Sequence, residues 1–421
     1  MKLNSRQLNL TFAILLGMSI PTMFLSKTFM GLAIAFAFFI CVFLRGVKPP
    51  LSKIKARLPP QLLILLIITL ICWLPNIFFS SDPLRSVKVV LRTFGLFVLV
   101  CYFWVLMEDR QIIRQAFQRS FVLSVALVSL FACLSKTIHP GLYFILHLEP
   151  WQKTPLLTEL KPLASLSPIL LPILIWLIRS ETRVWQVASF LACLLLIVVL
   201  VLSGSRASVA GLLGAAALSS VALIICRPSK VRFAFMGFVV TFSMVVMFWL
   251  RASWNDQFAF TPMSPEITQL FFPNWLIDFQ RQAIWQFALE KWTTAVWFGI
   301  GADTINFTGG ADRIIPGTND TRFMPGHPHN WGVEILAETG ILGFASYVLL
   351  VITMLFHAIN RFISTSNSAY LILIAISGGY LCSGLFNFSY WSSWWQFSVL
   401  LCGAFALANV DYKDDGHEKL F

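Results

Sequence analysis

His327-Pro-His-Asn-Trp-Gly-Val-Glu-Ile-Leu-Ala-Glu-Thr-Gly-Ile-Leu-Gly343 closes the longest polar segment of the chain and runs directly into an apolar span. Pro328 and Asn330 are helix-starting residues, and Gly340 is a helix stop. The pattern predicts a short interfacial helix from Trp331 to Thr339, then a membrane helix from about Ile341. His329 then lies at the positive end of a helix dipole, which disfavours its imidazolium form. A neutral imidazole at a membrane surface can accept a proton. The bland alternative is that His327 and His329 merely cap a helix, and local spacing does not choose between the two.

Outward from that stretch the chain is lipid-soluble. Its 421 residues are 57% hydrophobic and only 12% charged, with a mean hydropathy of +0.77, which excludes a soluble globule. Apolar spans long enough to cross a bilayer as helices occur about twelve times. They fall at 8–25, 28–44, 61–79, 84–107, 118–138, 163–178, 184–203, 206–226, 232–250, 341–359, 370–387 and 390–410. The fold class is therefore an all-α polytopic membrane protein. Residues 1–250 carry the first nine spans, 251–340 form one large loop with short helices, and 341–421 carry the last three spans and a tail. The sixth span is short and contains Pro168 and Pro172. Lys2 and Arg6 precede the first span without a small-residue cleavage site, so that span is expected to be retained.

Charge placement orients the spans. More than half of the 31 lysines and arginines crowd into the short segments 1–7, 45–57, 108–119, 179–183, 227–232, 360–369 and the tail from 411. By the positive-inside rule these are cytoplasmic, together with both termini, and the large loop faces outward. The net charge of +12 is thus topological, not a nucleic-acid footprint. Six of the eight cysteines lie within apolar runs and no pair has metal-ligand spacing, so neither a disulfide framework nor a metal site is expected.

Topology then sorts the residues able to do chemistry. Ser203-Gly-Ser-Arg-Ala-Ser208 is an outward turn between two spans. The large loop contributes Arg281, in Arg281-Gln-Ala-Ile-Trp285, then Phe298-Gly-Ile-Gly-Ala-Asp303, then His329. Arg206, Arg281 and His329 therefore share one membrane face. An arginine in such a turn is commonly a snorkelling anchor. Two of them beside a histidine favour phosphate binding, since the guanidinium fork donates in pairs. Arg85, Lys88 and Arg92 open the fourth span on one helical face. A charge at bilayer depth costs at least about 2.5–3.5 kcal/mol, so this stripe is expected to bind substrate by holding an anionic lipid headgroup below the outer surface.

Ser203-Gly-Ser-Arg206-Ala, Arg281-x-x-x-Trp285 with Gly299-x-Gly301, and His329-Asn330 followed by Gly340-x-x-Gly343 together resemble the O-antigen ligase family, which is related to O-antigen polymerases and protein O-oligosaccharyltransferases. The similar region covers about 195–360. The resemblance implies a C-type glycosyltransferase-like helical bundle in the bacterial inner membrane with its active site facing the periplasm. It further implies transfer of O-antigen from undecaprenyl diphosphate to the lipid A-core oligosaccharide, inverting, with no metal or other cofactor.

The residues agree with that chemistry. A diphosphate leaving group needs charge stabilisation, which Arg206 and Arg281 can supply, and a sugar hydroxyl is helped by a neutral base, the role expected of His329. Asn330 joins the substrate-binding set. Asp303, Asp312, Glu334 and Glu338 can orient the imidazole or bind sugar, but a solvated or structural role is the better expectation for each. Trp254, Trp275, Trp285, Trp292, Trp297 and Trp331 can stack on sugars, although aromatic belts explain most of them. Polymerisation of repeat units and glycosylation of a protein remain as readings within the same chemistry. A flippase for the lipid-linked sugar is the reading from another class; its binding residues belong near the bilayer midplane in repeated halves, a pattern absent here.

Overall fold

The computed structural model describes residues 5–45, 53–54, 58–147, 160–230, parts of 232–245, 277–318 and 320–410. Helices follow in the order α1 (Ser5–Ser19), α2 (Lys27–Arg45), α3 (Pro60–Trp73), α4 (Pro83–Asp109), α5 (Gln111–Thr137), α6 (Gly141–His147), α7 (Lys161–Ser180), α8 (Arg183–Ser203), α9 (Arg206–Cys226), α10 (Phe279–Thr293), α11 (Trp331–Thr365), α12 (Ser368–Gly384) and α13 (Ser393–Ala408). Among the described residues, β structure is limited to an isolated bridge between Ile314 and Arg322. Among the described residues, eight helical segments are long and apolar enough to cross a membrane, α3 being extended to Phe79 by a 3-10 turn, and α12 and α13 are shorter apolar helices. Large apolar side chains such as Phe43, Ile71, Val201 and Phe356 point outward, as a lipid-facing exterior requires. The protein is an all-α, multi-pass membrane protein.

Helix stands at every expected span except 232–250, which lies largely outside the described residues. Boundaries differ where local chemistry allows the helix to continue. α5 begins at Gln111 because the residues after Asp109 include no glycine or proline; Arg110 alone turns the chain, at φ −137° and ψ 103°. α7 runs through both Pro168 and Pro172. Neighbouring helices accommodate this distortion, since Pro168 packs against Gly211 of α9 and Gly379 of α12. The last two spans end earlier and start later than the hydropathy suggests, leaving residues 385–392 as a connection between α12 and α13.

α9 and α12 pack closely because small residues line their seam. A Cβ added at Gly214 would stand 2.5 Å from the Gly378 carbonyl oxygen, and one at Gly211 would stand 2.8 Å from that of Gly379. The antiparallel seam sets the first turn of α9 beside the last turn of α12.

The described part of the polar segment, from residue 277 on, is folded. Ile284, Trp285, Phe287, Ile300, Ile305, Ile315 and Met324 bury a small core of their own, which rests on Ala337 of α11. α11 breaks at Gly340 (φ 67°, ψ −176°), at the expected helix stop. The chain at 296–301 lies edge-on against this break. Ile300 and Gly301 donate to the carbonyls of Ala337 and Glu338 at 3.1 Å, and Ile341 donates to Val296 at 2.9 Å. A Cβ at Gly299 would meet the Glu338 carbonyl carbon at 2.3 Å, and one at Gly340 would meet the Trp297 carbonyl at 2.4 Å. Both residues have positive φ, so this backbone contact requires glycine twice over. The Gly299-x-Gly301 and Gly340-x-x-Gly343 motifs are two halves of one joint.

Candidate active site

Arg206 is the first residue of α9, placed there by the cap Ser205, whose hydroxyl accepts from the Ser208 N–H at 3.3 Å. Arg281 lies in the first turn of α10. Asp278 caps that helix by accepting the Arg281 N–H at 3.0 Å, and its carboxylate stands 3.7 Å from the Arg281 guanidinium. The guanidinium also lies 5.9 Å from the centre of the Phe386 ring. One turn along α10, Trp285 donates its indole N–H to the Pro328 carbonyl at 2.9 Å. The Arg281-x-x-x-Trp285 spacing thus puts the cation and the anchor of the histidine turn on one helical face.

That turn is strained. His329 has a left-handed backbone (φ 56°), uncommon for a side-chain-bearing residue. Asn330 caps α11 with its Oδ1, which accepts from Gly332 and Val333 at 2.9 and 3.3 Å. His327 Nε2 and His329 Nδ1 each lie 3.2 Å from the main-chain carbonyl of Asn387, and the rings are 4.2 Å apart. A carbonyl only accepts, so both nitrogens carry hydrogen. The Nε2 of neutral His329 is then left with its lone pair available. Burial lowers His327 to a pKa of about 4 and His329 to about 3, with His327 and Arg281 adding to the effect on His329. Both rings are neutral at pH 7. Arg281 is also lowered, first by burial, with Asp278 opposing and Arg206 adding.

The structure therefore gathers Arg206, Arg281 and His329, residues separated by two spans and most of the loop in sequence. It adds two groups that sequence reasoning missed. Lys161, at the start of α7, interacts electrostatically with Arg206, Arg281 and His329. His327 shares the Asn387 carbonyl. Asp278 lies next to Arg281 in this cluster, and Arg206 and Arg281 stand in the first turns of their helices, an arrangement suited to a multiply charged anion.

The connection 385–392 is the other missed feature. Glu334 accepts from the Ser389 hydroxyl and, at 2.7 Å, from the Tyr390 N–H. Glu338 accepts from the N–H groups of Asp303, Thr304 and Ile305 at 2.7, 3.0 and 3.0 Å, and from the Trp391 indole. Both carboxylates are buried and structural, clamping two loops onto α11. Asp312 pairs with Arg322 at 3.0 Å. The sequence carries no mark of these contacts at Asn387 and Trp391, since each acts partly through a backbone carbonyl.

Arg85, Lys88 and Arg92 stand apart from the histidine cluster. Arg85 donates to the Asp303 carbonyl at 2.7 Å, pairs with its carboxylate at 2.8 Å, and lies 4.8 Å from the centre of the Phe307 ring. Arg92 donates to the Trp391 carbonyl, and Lys88 is exposed. Asp303 is raised by burial, an effect that Arg85 and Arg92 oppose. Of the tryptophans, Trp285 and Trp331 serve packing, the latter donating to the Leu381 carbonyl at 2.9 Å, and Trp297 is exposed. Trp254 and Trp275 lie outside the described residues.

Residues 191–348 match the family model for O-antigen ligase. No curated protein matches the chain. The matched region runs from α8 into α11 and holds Arg206, Arg281, His329 and both halves of the glycine joint. By this region, which holds the cations and the histidine drawn together above, residues 191–348 of the chain are similar to the O-antigen ligase family.

Proposed function

We propose that the protein is an O-antigen ligase, moving a finished O-antigen chain from undecaprenyl diphosphate to the lipid A-core oligosaccharide at the periplasmic face of the inner membrane. The observation that carries this reading is the His329 imidazole, held neutral with Nε2 unprotonated, beside Arg206, Arg281 and Lys161. In the reaction a hydroxyl oxygen of the acceptor sugar attacks the anomeric carbon of the donor. His329 Nε2 takes the hydroxyl proton as the new glycosidic bond forms. The bond from the anomeric carbon to the diphosphate oxygen breaks on the opposite face, inverting the centre. The leaving undecaprenyl diphosphate gains negative charge at that oxygen, and Arg206 and Arg281 stabilise it. Partial burial strengthens these interactions by lowering the local dielectric.

The test uses a Gram-negative strain that makes capped lipopolysaccharide but lacks its own ligase. Wild type should restore the capped ladder, and His329→Ala should leave long glycan on the undecaprenyl carrier. A wild type that only changes chain length on the carrier is a polymerase, and the ligase reading fails.

A further inference from the structure

The main chain of the histidine turn and the ring of His329 are held from different sides. Trp285 of α10 donates to the Pro328 carbonyl at 2.9 Å, and Asn330 caps α11, so the backbone on either side of His329 is tied within the loop and its own helix. The ring is tied elsewhere. Among the described residues its hydrogen-bond partner is the Asn387 carbonyl, in the connection between α12 and α13. The side chains nearest that carbonyl turn away from the histidines. The Asn387 amide donates back to Ser383 of α12 at 3.3 Å, and Phe388 packs edge-on to Trp394 of α13 with ring centres 4.7 Å apart.

Glu334 fastens this part of the connection to α11. Its Oε2 accepts the Tyr390 N–H at 2.7 Å, and its Oε1 accepts the Ser389 hydroxyl, which itself accepts the Trp391 N–H at 3.1 Å. The carboxylate is buried, with Glu334 only 1% exposed. Glu334 stands one turn after Asn330, whose carbonyl receives the Glu334 N–H at 2.9 Å. The carboxylate and the histidine turn therefore belong to the same end of one helix, and Glu334 sets how closely the Asn387 carbonyl approaches it.

That approach decides chemistry. With Nδ1–H on the carbonyl, Nε2 of His329 keeps its lone pair. If the carbonyl withdraws, the proton can sit on either nitrogen, and the Nε2–H form cannot take a proton from a sugar hydroxyl. A general base in the wrong tautomer costs up to about 10⁴-fold in rate. His327 bonds the same carbonyl through Nε2, so one acceptor imposes opposite tautomers on the two rings.

We propose that Glu334 is a positioning residue for the transfer reaction, fixing the Nδ1–H tautomer of His329 through Ser389, Tyr390 and the Asn387 carbonyl. It rests on the glycan-transfer reading above. The two hydrogen bonds matter here, not the charge. Glu338 meets only N–H donors, but one partner of Glu334 is a hydroxyl, which can turn round. A glutamine at 334 accepts from the Tyr390 N–H and donates to Ser389.

Solid-state NMR of the full chain in lipid, with isotope-labelled histidine ring nitrogens, reads the tautomers directly once His327→Gln and His329→Gln assign the signals. Wild type should show Nδ1–H at His329 and Nε2–H at His327. Glu334→Leu should add an Nε2–H population at His329 and lower single-turnover glycan transfer at least about tenfold, with undecaprenyl diphosphate retention unchanged. Ser389→Ala removes one of the two bonds and should move both readouts the same way by less; it decides the result if Glu334→Leu does not fold. Glu334→Gln should return the wild-type tautomer and most of the rate. A pure Nδ1–H signal in Glu334→Leu and Ser389→Ala overturns the proposal whatever their rates, because Glu334 then only supports the fold. Glu334→Gln behaving as Glu334→Leu overturns it as well. Wild type that shows the assigned tautomers but transfers no glycan to lipid A-core counts against the proposed function instead, and leaves the coupling of Glu334 to His329 standing.

Discussion

His329 Nδ1 and the main-chain carbonyl of Asn387 lie 3.2 Å apart, and that contact sets which nitrogen of the ring is free. The partner comes from the connection between the last two helices, beyond the matched family region. Glu334 steadies that connection two residues on, at Ser389 and Tyr390.

Removing the base is expected to hit transfer more than binding. A positioned general base contributes about 10²–10⁴-fold. His329→Ala should therefore lower single-turnover glycan transfer by about that factor with little change in donor affinity. Wild-type rates from His329→Ala return the imidazole to a capping role.

The arginines should separate from the histidine in the same assay. Each charge-assisted hydrogen bond is worth about 1.5–3 kcal/mol, or about 10–100-fold. Arg281→Ala should weaken retention of undecaprenyl diphosphate by about that amount, and Arg281→Lys should recover part of the charge without the paired geometry. Equal behaviour of the two variants removes the bidentate role.

Acid should destabilise the fold through the histidine pair. Their folded pKa values, about 4 for His327 and about 3 for His329, lie below the ordinary 6.5. Between 6.5 and those values the unfolded chain binds protons that the folded chain does not, so stability falls as pH drops through that window. The drop in melting temperature of detergent-solubilised protein from pH 7 to pH 5 should be smaller in His327→Gln than in wild type. An identical pH dependence contradicts the buried, neutral state.

The glycine joint should tolerate no side chain. Gly340→Ala adds a Cβ 2.4 Å from the Trp297 carbonyl at a φ of 67°. The unfavourable backbone alone costs about 1–3 kcal/mol, and the contact adds to it. The variant should give a lower yield of folded protein and a lower melting temperature, whereas Gly31→Ala, which meets nothing within 4 Å, should match wild type.

Glu338→Gln should destabilise by several kcal/mol. The carboxylate receives three backbone N–H groups and one indole, all donors. A glutamine replaces one acceptor oxygen with a further donor, so at least one buried N–H is left unmet at about 1–3 kcal/mol each. Thermal melting and proteolysis of the 303–305 loop measure the effect.

Hydropathy and helix punctuation by themselves determined the fold class, the helix order and the break at Gly340. These are properties of local composition and of the bilayer as solvent, which the chain must satisfy residue by residue. Tertiary structure alone decided that Lys161 joins the cations, that Asn387 sets the histidine tautomer, and that Arg85 and Arg92 are held by Asp303 and Trp391, apart from the histidines. The Asn387 contact runs through a backbone carbonyl, which every residue type possesses, so its position was written only in how the small-residue seam between α9 and α12 brings distant segments together.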